Sequence, residues 1–184
     1  MAAVSNLKNM ALSLTLVCLV CSALLGVVYA VTSEPIKAAE AARTSASIAR
    51  VLPPFEAQPE KCEASLDGKL CEFYRVPGAG YAVISTVGGF GGPLTLMVGI
   101  GEDGRLVNTV VLSHSETPGL GAKCTSDEAF TGQFQGLDPA VARLAVRKDG
   151  GDIDAITAST ITSRAYVAAI EKAFELYKTL SENE

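Results

Sequence analysis

Positive charge is in short supply in this chain, and so are the residues that most often do chemistry. Its 184 residues hold 15 Lys and Arg against 20 Asp and Glu, a net charge of −5. No basic patch with interleaved aromatics occurs, which argues against nucleic acid as a partner. There is no tryptophan and one histidine, His114. A lone loop histidine is more often a surface residue than a general base. No paired acid and base, and no nucleophile beside a base, can be picked out. Beyond residue 33 no C-x-x-C pair is found, so no metal or iron–sulfur ligation by this chain is expected. Internal repeats and low-complexity tracts are missing too.

A different absence marks the N-terminus: residues 9–33 contain no charge, and residues 10–31 are almost wholly apolar. At a helical rise of ~1.5 Å those residues span ~33 Å, against ~30 Å for a hydrocarbon core. A cleavable signal peptide is the rival reading, with Val28-Tyr29-Ala30 as its cleavage site. The apolar run is longer than a signal's usual ~7–15 residues, which favours a retained anchor. Val17 and Val20 precede Cys18 and Cys21, so neither cysteine lies in a lipobox. Lys8 stands before the span, and Glu34, Lys37, Glu40, Arg43 and Arg50 follow it, so flanking charge says little about orientation. The short, signal-like start favours an N-terminus inside and an exported globular domain.

Residues 35–50 are Ala-rich and predict a helix with Pro35 in its first turn, ended by Val51-Leu52-Pro53-Pro54. Short β-like runs follow at residues 70–76, 81–87, 94–100 and 105–112, with Gly101-Glu102-Asp103-Gly104 as a hairpin loop. Cys62 and Cys71 bracket a further hairpin signal, Asp67-Gly68. A two-residue turn sets Cys71 opposite Ala64, whereas a four-residue loop over 65–68 sets Cys62 opposite Cys71, within disulfide reach. Spacing leaves both open. Helices are expected at residues 127–134 and 163–180, with a short turn over 139–143. Strands in the middle and helices at the flanks argue an α+β fold with a mostly antiparallel central sheet.

Three motifs stand out against this frame. Residues 154–163 read D-A-I-T-A-S-T-I-T-S, with hydroxyls at Thr157, Ser159, Thr160 and Thr162. The apolar positions Ile170, Ala173, Phe174, Tyr177 and Leu180 after them recur at helical steps. The cluster thus opens a helix, where unpaired N–H groups and the positive dipole end favour phosphate. Its plainer reading is an N-cap. Residues 114–121 read H-S-E-T-P-G-L-G, and Phe90-Gly91-Gly92-Pro93 closes a Gly-rich loop.

The first motif resembles the flavinylation motif of FMN-binding domains, D-x-x-[ST]-G-A-T-x-[ST]. The second resembles their H-x-E-T-P-G-L-G loop, and the third their G-[FY]-G-G-P loop. In order and in spacing behind one N-terminal span, they resemble the G subunits of Rnf ion-translocating oxidoreductases. The homologous C subunits of sodium-pumping NADH:quinone oxidoreductases are next. The resemblance implies FMN joined through its phosphate to Thr160 by a flavin transferase. Thr157, Ser159, Thr162 and Glu116 would line the site, with Thr117 and Leu120 beside the isoalloxazine and Gly119 giving the backbone's approach. Ala158 stands where Gly is usual and Ser159 where Ala is usual, both still small.

The implied arrangement is a cytoplasmic tail (1–9), a membrane anchor (10–31), a helical connector (32–54) and an FMN-binding domain (55–184). Such a protein relays electrons beside the other membrane subunits of an Rnf complex, which couples ferredoxin and NAD to Na⁺ or H⁺ movement. A quinone-linked complex is the alternative, as is a non-catalytic exported module without flavin.

Overall fold

The computed structural model describes residues 7–66 and 68–181. Residues 1–6 of the expected tail, and Asp67 of the hairpin turn, lie outside the described residues. Two compact units are present, Met1–Thr44 and Ser45–Glu184.

The first unit is helical. Helix α1 is assigned over Leu7–Val51, with Pro35 inside it. The expected start at Pro35 is therefore corrected. Proline removes one backbone donor and crowds the preceding turn, but here the helix continues through it. The stretch from Asn9 is long and apolar enough to cross a membrane, and its most apolar part is not buried among the described residues. Leu12, Leu25 and Val31 are each about 70% exposed. A helix apolar on every side and uncovered by protein fits hydrocarbon.

The second unit is built on a sheet of five strands in the order β1-β2-β3-β4-β5, every neighbouring pair antiparallel. They are β1 Glu60–Leu66, β2 Lys69–Val76, β3 Gly80–Gly88, β4 Pro93–Ile100 and β5 Leu106–His114. Period-two alternation sorts the side chains. Val83, Leu94, Leu96, Val98 and Ile100 turn to one face and pack with Tyr166, Ala169, Ile170 and Ala173. Those last four come from helix α3, Thr160–Ser181. Ala82 and Met97 turn to the other face and meet Ile48, Val51 and Leu52 from the end of α1. Strand β4 is thus covered on both sides, which explains why its sequence is apolar almost throughout. Gly99 is needed there, because a Cβ would run into the Val51 carbonyl oxygen.

The α+β expectation holds, one of the two turns left open between β1 and β2 is the one formed, and two helices near the site differ from expectation. Leu66 pairs with Lys69, so the β1–β2 turn has two residues. Cys71 then faces Ala64 and Cys62 faces Phe73, and the four-residue loop that would set the cysteines opposite one another is not formed. Helix α3 begins three residues earlier than the apolar pattern predicts, at Thr160. Its start is moved up by Ser163, whose hydroxyl donates to the Ser159 carbonyl (3.0 Å) and accepts from the Ile156 N–H (2.9 Å). The helix expected over 127–134 is one α turn, α2 Glu128–Thr131, followed by a 3-10 turn to Phe134.

Candidate functional site

Three segments meet at one end of the sheet. The Gly-rich loop joins β3 to β4, the chain after β5 leaves through Ser115 and Glu116, and α3 begins beside both. Between them lies a cleft of about 360 Å³. Phe90 lines it from the first segment, Glu116, Thr117, Leu120 and Gly121 from the second, and residues 158–162 from the third.

Each segment has a local reason for its shape. Thr117-Pro118-Gly119-Leu120 is a type II turn: the Leu120 N–H reaches the Thr117 carbonyl at 3.2 Å, and Gly119 has φ 77°. Proline suits the second position of such a turn and glycine the third. A second turn precedes α3, closed by the Ser159 N–H on the Ile156 carbonyl at 3.0 Å. Its third position is Ala158, the one non-glycine described with positive φ, at 62°. The usual glycine of the resembling motif therefore has a backbone cause, and alanine here is held in an unfavourable region.

The approach to this turn is pinned from two sides. Gln133 exchanges hydrogen bonds with the backbone of Asp154, accepting from its N–H at 2.7 Å and donating to its carbonyl at 3.1 Å. Arg164 in α3 grips both carboxylate oxygens of Asp149, at 2.6 and 2.7 Å. That hydrogen-bonded guanidinium holds the Asp149 carboxyl below its ordinary range.

Glu116 ties the three segments together. It is 5% exposed. Oε1 accepts from the Phe90 N–H at 2.8 Å and the Gly91 N–H at 3.4 Å, and Oε2 accepts from the Thr162 hydroxyl at 2.8 Å. The Glu116 N–H is itself held by His114 Nδ1 at 3.2 Å. The glycines around it are explained by this carboxylate. A Cβ on Gly89 would meet Oε1, one on Gly121 would meet Oε2, and one on Gly91 would meet the Ser115 carbonyl oxygen. At Gly89 and Gly91 the close neighbour is thus a protein group.

The predicted residues divide accordingly. Thr160, Ser159, Thr162, Glu116, Thr117 and Leu120 share the cleft; Thr157 and Gly119 are exposed and do not line it. Thr162 is committed to Glu116. Among the described residues none of the four motif hydroxyls caps α3; the Ser159 hydroxyl is buried with no hydrogen-bond partner. As in any helix, the N–H groups of the first turn, from Thr160, Ile161 and Thr162, have no partner within it. Phe90, Gly121 and Ile161 were not singled out from sequence as cleft residues. Phe90 and Ile161 are 66% and 50% exposed and, with Leu120 at 45%, give the mouth an apolar rim. Each of the three lies inside one of the motifs, which was the signal available for them.

The family described as FMN-binding domain matches residues 89–175, and the RnfG N-terminal region matches residues 1–51. The G subunit of an ion-translocating oxidoreductase complex from Pseudomonas aeruginosa is 41% identical over 111 residues, 56% of this chain and 51% of its own length. The alignment thus spans about half the length of that relative. The G subunit of a proton-translocating ferredoxin:NAD(+) oxidoreductase complex from Clostridium ljungdahlii is 31% identical over 92% of this chain and 90% of its own. Its counterpart in an ion-translocating oxidoreductase complex from Methanosarcina acetivorans is 32% identical over 92% and 94% respectively.

Proposed function

Since the chain belongs to the G subunits of ion-translocating oxidoreductase complexes, we propose that it carries FMN covalently on Thr160 and relays electrons between redox centres in neighbouring membrane subunits. The reading rests chiefly on one observation. Thr160 is the first residue of a long helix and lines a cleft, and the N–H groups of that helix's first turn have no partner within it.

The cleft's residues fit the group. Donors of the α3 first turn suit a phosphoester, whose negative charge gains from the helix dipole. The apolar rim of Phe90, Leu120 and Ile161 suits a flat, largely apolar ring. FMN, when bound, supplies the electron-carrying ring, and the protein supplies placement and surroundings. Thr160 contributes the oxygen of the ester, while the tie from Glu116 to Thr162 and Phe90 holds the acceptor turn against the Gly-rich loop. A covalent tether makes retention independent of affinity, which matters for a domain outside the cytoplasm. We place residues 10–31 as a retained single-pass anchor with the N-terminus inside and the FMN domain exported. A flavin transferase would act during maturation. Ferredoxin and NAD as terminal partners, with Na⁺ or H⁺ moved, follow from the relatives' names and the resemblance.

The attachment is tested by mass spectrometry of the tryptic peptide ending at Arg164, in protein made alongside a flavin transferase. Thr160→Val keeps the volume and removes the hydroxyl, so the fold should persist while covalent flavin disappears. Thr157→Val and Ser159→Ala should both retain it. FMN found on Ser159 or Thr162 would show that the acceptor is misplaced, and an unmodified wild-type peptide would return the cluster to a plain helix start.

A further inference from the structure

We propose that the charge of Glu116, and not only its hydrogen bonds, acts on the bound flavin: the buried carboxylate holds the cofactor's reduction potential down. The inference rests on the flavin reading above. Glu116 lies on the wall of the cleft and is 5% exposed. Among the described residues its hydrogen-bond donors are all neutral, the N–H groups of Phe90 and Gly91 and the hydroxyl of Thr162. None of the ion pairs found among the described residues includes it. A charge in such a place is poorly screened, and its field reaches its neighbours. Burial first and the Glu116 carboxylate second push the Cys124 thiol up to about 11.

A brace alone did not require a charge. Donors from Phe90, Gly91 and Thr162 could be satisfied by carbonyl or hydroxyl oxygens, which cost far less to bury than an ion without a cation. Reduction adds electrons to the flavin, and a nearby fixed negative charge opposes that addition. The electrostatic role and the bracing role therefore make different predictions, because one depends on the charge's sign and the other on contact.

The experiment is a redox titration, followed by flavin absorbance, of the full chain carrying its flavin. Flavin fluorescence of the denatured band establishes occupancy first. Glu116→Gln removes the charge in nearly the same volume, and the midpoint should move positive. Glu116→Asp keeps the charge at some cost in contact, so its midpoint should stay close to that of the wild type. Thr162→Val removes one donor and leaves the carboxylate less compensated, so its midpoint should move negative. Opposite signs for Glu116→Gln and Thr162→Val are what a merely structural role cannot produce. Shifts of the same sign, or none, overturn the proposal. If Glu116→Gln does not fold, Thr162→Val decides alone, with an unchanged or more positive midpoint counting against it. A wild-type chain without flavin overturns the flavin reading itself, whereas a flavin-bearing wild type with unshifted variants overturns only the role given to the charge.

Discussion

Ala158 is where the backbone of the acceptor turn is under most visible stress. Its φ of 62° is a left-handed value, which costs a residue with a Cβ about 1–2 kcal/mol. Glycine relieves that cost but gives back about 0.5–1 kcal/mol through its looser unfolded chain. Ala158→Gly is therefore expected to stabilise the domain by up to about 1 kcal/mol, seen as a melting temperature higher by a few degrees. A melting temperature that falls would show that Ala158 is favoured by contacts its methyl makes. The departure from glycine was visible in the sequence; its cost was not, because only the folded turn assigns φ. The same holds for Glu116, whose place in H-S-E-T-P-G-L-G marked it without showing the three donors it gathers from two distant segments.

At the scale of elements, α3 does most to hold the site in place, and Tyr166 is its central packing residue. The ring is fully buried, stacked on Phe134 with centroids 5.2 Å apart and edge-on to Phe130 at 5.0 Å. Its hydroxyl shares a 2.8 Å hydrogen bond with the buried Thr109 hydroxyl. Burial pushes the phenol up to about 12, against an ordinary 10.0, and the Thr109 bond offsets part of that shift. The fold thus favours the protonated form. Its contribution is whole below about pH 10, where the unfolded chain is also protonated, and is lost as pH rises from about 10 towards 12. Tyr166→Phe should cost about 1–3 kcal/mol at neutral pH, since Thr109 is left without its partner. Above about pH 10 its stability should fall less steeply than the wild type's. Denaturant titrations at several pH values check both parts, and parallel curves would remove the phenol from the account.

At the scale of the molecule, the domain's edge is decided by the last turns of α1. Ile48, Val51 and Leu52 are 1%, 0% and 5% exposed and cover Val76, Ala82 and Met97 on the sheet. Asn108 adds a hydrogen bond from its side-chain amide to the Arg50 carbonyl at 2.9 Å. A chain lacking residues 1–44 is expected to be soluble and to melt as a folded domain. A chain beginning at Phe55 loses three buried side chains worth about 1.5–3 kcal/mol each. It should be destabilised by several kcal/mol or aggregate. Equal melting temperatures for the two would place the domain's edge at residue 55.

Much of this protein was determined by sequence alone. Residues 10–31 carry no charge and so announce a helix long and apolar enough to cross a membrane, and β3, β4 and β5 show themselves to within a residue or two because strand runs end at Gly and Pro. The resemblance to the flavinylation motif singles out Thr160, and the helix start there supports the proposal built on it. Tertiary structure decided what depends on partners far along the chain. It chose between the two β1–β2 registers that the sequence left open, and the two-residue turn that forms separates Cys62 from Cys71. The start of α3 at Thr160 comes from Ser163 bonding back to Ile156 and Ser159. The burial of Glu116 comes from a Gly-rich loop 26 residues away and a helix turn 46 residues on. Local spacing encodes period and chain direction, but only the closed fold brings a carboxylate, three glycines and a threonine hydroxyl to one point.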